Sequence, residues 1–334
     1  MSLPFATETD FDLHGLVGIR LLDAGPSDVA TVRKQLGFPA TQLDGRPDIV
    51  IRFVDRLRMS SGLRYIGLHD SAFTEDQFLV LRSRHKRPAR VQIPLDRIGQ
   101  HPELVCERGV SAVPLLVAIV NLTMLSKDVL PLHAAAFRHR GIGTLVTGWS
   151  KGGKTEALLA FMSRGAQYVG DEWVYVLADG SRMFGIPEPI RVWGWHLEYL
   201  PEYRHRVAPR DLARLRAIRL LLGAGCRVRP DSTLTSRASH LLERQLYVDI
   251  EPHRLFDDCV PRSAAIDRVF LVGSHADDEI TASSIDPREI SARMTHSLQY
   301  ELAGLREFYL KHRFAFPDAS NPLIDGAERT QRRL

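Results

Sequence analysis

The first 105 residues alternate short hydrophobic runs with polar turn segments, a pattern typical of β-strands. Between the first two runs, Ser27–Leu36 has helical spacing, with Pro26 and Ser27 as start signals and Gly37 as the stop. The predicted strands are Leu16–Leu22, Ile49–Val54, Leu63–Leu68, Phe78–Leu81 and Arg90–Ile93. Residues 1–105 are therefore expected to form a small α+β domain, and their side chains indicate no role for it.

Residues 106–325 have the pattern of a second, larger α/β domain. The hydrophobic run Val110–Leu125 predicts a buried helix, since it falls short of the ~20 residues of a membrane span. Further along, the strand Gly143–Thr147, a glycine-rich loop and the helix Lys154–Arg164, with Gly165 as its stop, follow in direct succession. The other predicted elements are the strands Gln167–Val169, Trp173–Leu177 and Ile266–Gly273, a helix starting at Pro209, and a helix over Pro287–Tyr309. The polar residues 326–334 predict a disordered tail.

The composition is that of an ordinary globular protein, with 44% hydrophobic and 25% charged residues. A net charge of +4 is small for 334 residues, so it favours neither a nucleic-acid partner nor a membrane surface. The N-terminus has no basic and then apolar run, and a cytoplasmic location is expected. Cys106, Cys226 and Cys259 lack metal-ligand spacing and are interpreted as reduced thiols. Homo-oligomerisation is left open.

The segment Gly148-Trp149-Ser150-Lys151-Gly152-Gly153-Lys154-Thr155 fits the phosphate-loop pattern G-x-x-x-x-G-K-[ST]. Such a loop turns successive backbone N–H groups toward phosphates, and glycine permits the dihedral angles that this requires. The following helix directs its unpaired N–H groups at the same anion. Lys154 is expected to contact the β- and γ-phosphates of ATP, and the Thr155 hydroxyl to bind Mg²⁺. The alternative, a glycine-rich turn with an incidental lysine, does not explain the strand and helix on either side.

An acidic pair, Asp171-Glu172, follows the next predicted strand. A carboxylate at this position can meet a Mg²⁺ ion bound to the loop threonine, as the Walker-B Asp does. Two adjacent acids can also divide the work, one at the metal and one accepting the proton of a substrate. A solvated acidic turn is the simpler alternative, but the position one helix after the phosphate loop favours a functional pair.

The block from His133 to Glu172 resembles the catalytic core of HPr kinase/phosphorylase. That family has a histidine, a phosphate loop ending Gly-Lys-Ser-Glu, a helix closing in Arg-Gly, and an Asp-Asp pair, with similar spacings. The resemblance covers about Leu130–Val176 and weakens over Gly185–Arg191. It implies a P-loop kinase core of the HPr kinase/PEP carboxykinase type with a mixed sheet, placed here in residues 106–325.

The resemblance also implies roles for individual residues. Asp171 matches the general base that acts on the acceptor serine, and Glu172 replaces the second Asp on the metal side beside Thr155. His133 matches a histidine that lies beside the catalytic Asp, although a packed structural histidine is an alternative. The later Arg-Gly-x-Gly-Ile signature of the family is missing, and residues 1–105 do not resemble its N-terminal domain. HPr as the substrate and phosphorolysis therefore do not follow.

Two functions are compatible with these features. The first is an ATP-dependent kinase that phosphorylates a hydroxyl, most simply a serine, of a peptide, protein or small molecule. Arg191 and Arg254 are its candidate γ-phosphate contacts, with surface arginines as the alternative. The second is a non-catalytic ATP-responsive binding protein, which the unexplained residues 1–105 and the arginine-rich helix after Pro209 favour. Those arginines suit either a docking face for acidic partners or an ordinary solvated helix.

Overall fold

The computed structural model describes residues 8–57, 64–66, 71–74, 77–82, 88–228, 239–257, 263–276 and 279–334. It is a mixed α/β protein with one large mixed sheet, three smaller sheets and several helices. In the described part of the chain, no helix is both long and apolar enough to cross a membrane.

The large sheet contains eight strands in the order β1-β2-β3-β8-β7-β6-β5-β4. Its pairs β2–β3 and β3–β8 are parallel, and the other pairs are antiparallel. The strands are β1 (Thr9–Leu13), β2 (Val17–Leu22), β3 (Ile49–Val54), β4 (Arg64–Ile66), β5 (Ser71–Thr74), β6 (Gln77–Arg82), β7 (Pro88–Gln92) and β8 (Glu103–Glu107). Strand β8 crosses the predicted boundary at 105/106, so we use the name N-terminal unit for residues 8–107.

Two four-stranded sheets follow in the chain. One has the order β12-β10-β11-β18, with strands β10 (Ala135–His139), β11 (Ile142–Gly148), β12 (Gln167–Gly170) and β18 (Arg268–Val272). The other has the order β17-β14-β13-β9, with strands β9 (Val129–His133), β13 (Trp173–Leu177), β14 (Arg182–Gly185) and β17 (Ser263–Ala265). Strands β15 (Ile190–Trp193) and β16 (Tyr247–Ile250) form a separate antiparallel pair.

Nine helices are described here by their bounds. They are α1 (Pro26–Leu36), α2 (Leu116–Ser126), α3 (Lys154–Met162), α4 (His196–Tyr199), α5 (Pro209–Val228), α6 (Pro252–Leu255), α7 (Pro287–Glu301), α8 (Ala303–Ala315) and α9 (Pro322–Arg333). Helix α1 begins as predicted at a proline, with the Asp28 carboxylate accepting a hydrogen bond from the Gly25 N–H. Gly165, just after α3, has φ +82°, as a helix stop requires.

Two predicted helices differ from the structure. The helix predicted over Val110–Leu125 begins only at Leu116, because Pro114 disfavours a helical residue before it and Leu115 has φ +61°. The helix predicted over Pro287–Tyr309 is two helices separated at Leu302. Of the strand predicted over Leu63–Leu68, Arg64–Ile66 forms a strand, and the other residues lie outside the described part of the chain.

The prediction of a disordered tail over 326–334 is wrong. These residues continue helix α9, which begins at Pro322 with the Asn321 side chain accepting from the N–H groups of Leu323 and Ile324. Ile324 and Ala327 are buried in the same core as the large sheet. The polar composition conceals an amphipathic helix whose cap lies upstream of the segment.

The buried side chains form two main cores and two smaller clusters. The largest joins the large sheet to α2 and to the C-terminal helices α7 to α9, so the N-terminal unit shares its core with the rest of the chain. A second core surrounds α3, β10, β15 and β16. A smaller cluster lies between the two four-stranded sheets and includes Met294 of α7.

Candidate functional site

The glycine-rich loop, which we define as Gly148–Thr155, joins strand β11 to helix α3 as predicted. Gly148 has φ +152° and its Cα touches strand β18, since a Cβ there would lie 2.5 Å from the Val272 carbonyl oxygen. Gly153 has φ +103° and occupies the N-cap position of α3. Both conformations favour glycine, so the backbone of this loop depends on its glycines.

Lys154 is 4% exposed and directs its ammonium back onto the loop. Its Nζ donates to the carbonyl oxygen of Trp149 at 2.9 Å and to that of Gly148 at 3.4 Å. Burial lowers the pKa of Lys154, against the raising effect of the surrounding acids Glu172 and Asp171. A buried cation whose described hydrogen bonds go to carbonyl groups is poised to bind an anion at this place.

Thr155 connects the loop to the acidic pair. Its hydroxyl lies 3.1 and 3.2 Å from the two carboxylate oxygens of Asp171. Asp171 follows strand β12 directly and is almost fully buried. Burial and the adjacent Glu172 charge raise the pKa of Asp171 above its usual range, although the Thr155 hydrogen bond opposes the shift.

Glu172 points the other way, toward His133. The residue has φ +64°, a left-handed conformation that turns the chain between β12 and β13. Its carboxylate accepts from Nε2 of His133 at 3.0 Å, and this hydrogen bond lowers the pKa of Glu172. Pairing of β9 with β13 sets His133 opposite Trp173, which explains why His133 lies next to the acid.

A second acid, Glu301, binds the other nitrogen of His133 at 2.8 Å. Burial alone lowers the pKa of His133, but the hydrogen bonds of Glu172 and Glu301 outweigh it and raise the pKa to about 9. The imidazole is therefore protonated at neutral pH and donates to both carboxylates. His133 was expected beside Asp171; its hydrogen bonds go to Glu172 and Glu301.

Helix α7 ends at this site, which no local pattern in the sequence indicates. Its last two residues are Tyr300 and Glu301, and the Tyr300 ring lies 5.0 Å from the Trp149 ring of the glycine-rich loop. Glu301 is 168 residues from its partner His133. Only the packing of α7 against the small sheets brings these residues to the loop.

The two candidate arginines differ in position. Arg191 pairs with Asp249 at 3.0 Å and lies over the Tyr247 ring, and its charge contributes to the lowered pKa of Glu172. It therefore lies within electrostatic reach of the acidic pair. Arg254 is 70% exposed and pairs with Glu251 at 3.6 Å, on the face that also contains Arg33. No described contact joins Arg254 to the site.

Several arginines on and around helix α5, the arginine-rich helix, have structural partners. Arg204 donates to the carbonyl oxygen of Leu197, and Arg214 to those of Gln245 and Tyr247. Arg219 pairs with Glu198. Arg229 lies outside the described residues. These contacts favour an ordinary structural and solvated helix over a docking face.

The residues present fit a nucleotide with Mg²⁺. In the described part of the chain, no group of three or more His, Cys, Asp or Glu side chains is arranged to hold a metal ion. Mg²⁺ at a phosphate loop needs few protein ligands, because phosphate oxygens and water complete its octahedron. The Thr155 hydroxyl and the nearby acids Asp171 and Glu172 can supply them. No described hydrogen bond joins Thr155 to Glu172, the acid expected beside it.

Neither a scan against models of protein families nor a search of curated proteins found a match to this chain. The resemblance to HPr kinase therefore stays a prediction that is based on the residues from His133 to Glu172. The site must be judged on its own geometry.

Proposed function

We propose that the protein is an ATP-dependent phosphotransferase, similar to HPr serine kinase, that moves the γ-phosphate of Mg·ATP to a hydroxyl. The acceptor is a peptide, protein or small molecule, with serine the simplest candidate. The observation that carries the proposal is the contact of the Thr155 hydroxyl with Asp171 at 3.1 Å, directly beside the buried Lys154. This contact joins a phosphate-type loop to an acid that can act on a second substrate.

The pKa values of the acidic pair support a division of work. Where the environments of two neighbouring acids make their pKa values differ strongly, one acid commonly accepts a proton and the other stays charged. Asp171, whose pKa is raised, takes the proton of the acceptor hydroxyl. The hydroxyl oxygen then bonds to the γ-phosphorus as the bond from that phosphorus to ADP breaks. Glu172, whose pKa is lowered, stays ionised and serves with Thr155 on the metal side.

The remaining residues bind and orient. When ATP binds, the Lys154 ammonium gives up its hydrogen bonds to the loop carbonyls and contacts the β- and γ-phosphates. The N–H groups at the start of α3 bind the same phosphates. Bound Mg²⁺ would neutralise phosphate charge during transfer. His133 holds Glu172 in place, and Arg191 adds positive charge near the acids.

The proposal is tested by incubating the protein with γ-labelled ATP and an extract of its source cells. Asp171→Asn is expected to abolish labelling of the acceptor while a fluorescent ATP analogue still binds. Lys154→Ala is expected to weaken nucleotide binding about 10- to 100-fold, the value of a charge-assisted hydrogen bond. Asp318→Asn and Lys34→Ala, an exposed acid and an exposed lysine outside the site, are the matched controls.

Wild-type transfer in Asp171→Asn would refute the base assignment. Absence of ATP binding by the wild-type protein would refute the whole proposal. Tight ATP binding without labelling of any acceptor, together with a partner whose affinity changes with nucleotide, would support the non-catalytic ATP-responsive protein instead.

A further inference from the structure

The segment Gly185–Pro189 lies where the two main cores meet. Ile186 is buried in the core of the large sheet, whereas Ile190, just after the segment, is buried in the core around α3. Glu188 lies between these anchors and between Pro187 and Pro189. Because each proline restricts its own φ and the residue before it, the backbone at Glu188 is restricted to extended conformations.

Two glycines press this segment against the acidic pair. A Cβ on Gly185 would lie 2.0 Å from the Val169 carbonyl oxygen and 2.4 Å from the Gly170 Cα. The two backbones thus touch one residue before Asp171. Burial, followed by the charges of Glu172 and Asp171, raises the pKa of Glu188 to about 8, so this side chain is within electrostatic reach of both acids.

The N-terminal unit contacts the same segment at two points. The Nε2 atom of His14 lies 2.8 Å from the Gly185 carbonyl oxygen, and its ring lies 5.2 Å from that of Phe184. At the end of α1, Gly37 packs on Pro187, because a Cβ at Gly37 would lie 2.0 Å from the Pro187 Cγ. The start and the middle of the segment are therefore held by residues of the N-terminal unit.

Glu188 follows strand β14, which contacts the strand that ends just before Asp171. Strand β11 leads into the glycine-rich loop, β12 lies at the edge of that sheet, and the Gly185 backbone of β14 touches β12 at Val169 and Gly170. Asp171 is engaged by Thr155, and Glu172 and Glu301 are engaged by His133. Among the described residues, no hydrogen bond or ion pair engages the half-buried Glu188 carboxyl.

We propose that Glu188 contacts the phosphate acceptor, and that the N-terminal unit positions it for this purpose. The inference rests on the proposed phosphotransferase function. The role of the N-terminal unit would then be to act as a brace, which means that it holds the Gly185–Pro189 segment in place beside the acidic pair. The contact with Glu188 also restricts the acceptor, which must present a hydrogen-bonding group next to the hydroxyl that is phosphorylated.

The acceptor contact is tested with Glu188→Gln in the γ-labelled ATP assay, with extract protein and ATP varied separately. The extract concentration for half-maximal labelling is expected to rise about tenfold, with the half-saturating ATP concentration unchanged. Glu202→Gln, an exposed acid, is the control. A change in the ATP requirement alone, or a result equal to the control, overturns the assignment. A wild-type protein that labels nothing refutes the proposed function itself.

The brace is tested without any acceptor by comparing Gly37→Ala with Gly109→Ala. Both glycines have similar φ values, +89° and +81°, but nothing lies within 4 Å of a Cβ at Gly109. Both variants place a Cβ at a positive φ, and only Gly37→Ala adds a contact with Pro187. Amide hydrogen exchange over residues 184–190 is expected to speed up in Gly37→Ala only. Equal exchange over 184–190 in both variants overturns the brace.

Discussion

The raised pKa of His133 predicts how the stability of the protein depends on pH. It is buried between Glu172 and Glu301, and its pKa is about 9 in the folded protein against 6.5 for an unperturbed histidine. The folded state therefore holds a proton that the unfolded chain loses above pH 6.5. Stability that comes from this group is fully present below pH 6.5 and is lost as the pH rises through about 9.

The size of the effect follows from the shift. One pKa unit corresponds to about 1.4 kcal/mol, so the free energy of unfolding should fall by about 1.4 kcal/mol per pH unit across this window. The total is about 3 kcal/mol. The His133 side chain is only 10% exposed, so solvent screening reduces this value little.

The assay is urea unfolding of the wild type and of His133→Gln at pH 6.5, 7.5 and 8.5. The decline in the variant is expected to be smaller than in the wild type by about 1.4 kcal/mol per pH unit, since glutamine carries no titrating proton, while Asp171 and Glu188, whose pKa values are raised, keep their own share of the decline. His101→Gln, which removes a histidine from an exposed turn, is expected to keep the wild-type decline. Equal pH dependence in the wild type and in His133→Gln would refute a protonated His133 in the folded state.

Three further predictions concern other parts of the chain. Asp10 accepts hydrogen bonds from Arg20 that lower its pKa, so Asp10→Asn should cost about 1–3 kcal/mol at pH 7, and this difference from the wild type should shrink toward pH 3 as Asp10 is protonated, measured by urea unfolding at both pH values. Burial raises the pKa of the Cys106 thiol to about 12, so iodoacetamide at pH 8 should leave Cys106 unmodified in the native protein and modify it in urea, as peptide mass mapping would show. Asn321 caps α9 and donates to three carbonyls of the N-terminal unit, so Asn321→Ala should lower the free energy of unfolding by about 2–4 kcal/mol; a change below 0.5 kcal/mol, roughly that of a surface substitution, would argue against an ordered C-terminal helix.

Five of the eight strands of the large sheet were predicted, because their hydrophobic alternation is a local property, whereas β1, β5 and β8 were not predicted. Ile49–Val54 is a strand with the predicted bounds, and its residues alternate between buried and partly buried positions. The order of the eight strands was not predictable, since β3 pairs with β8, which lies about 50 residues further along the chain. Pairing at such separation depends on the shared core with α2 and the C-terminal helices rather than on any short segment.

The residues of the candidate site likewise fall into those that could be recognised from the sequence and those that could not. Gly148–Thr155 could be recognised from the sequence because the dihedral angles of such a loop require glycine at particular positions, and strand, loop and helix are contiguous. His133, Asp171 and Glu172 could be selected by their spacing from the loop. Their partners could not, because the hydrogen bond from His133 to Glu301 joins residues 168 positions apart. The sequence alone thus determined the loop and the acids, through local backbone constraints, and the packing of α7 and of the N-terminal unit decided which side chains surround them.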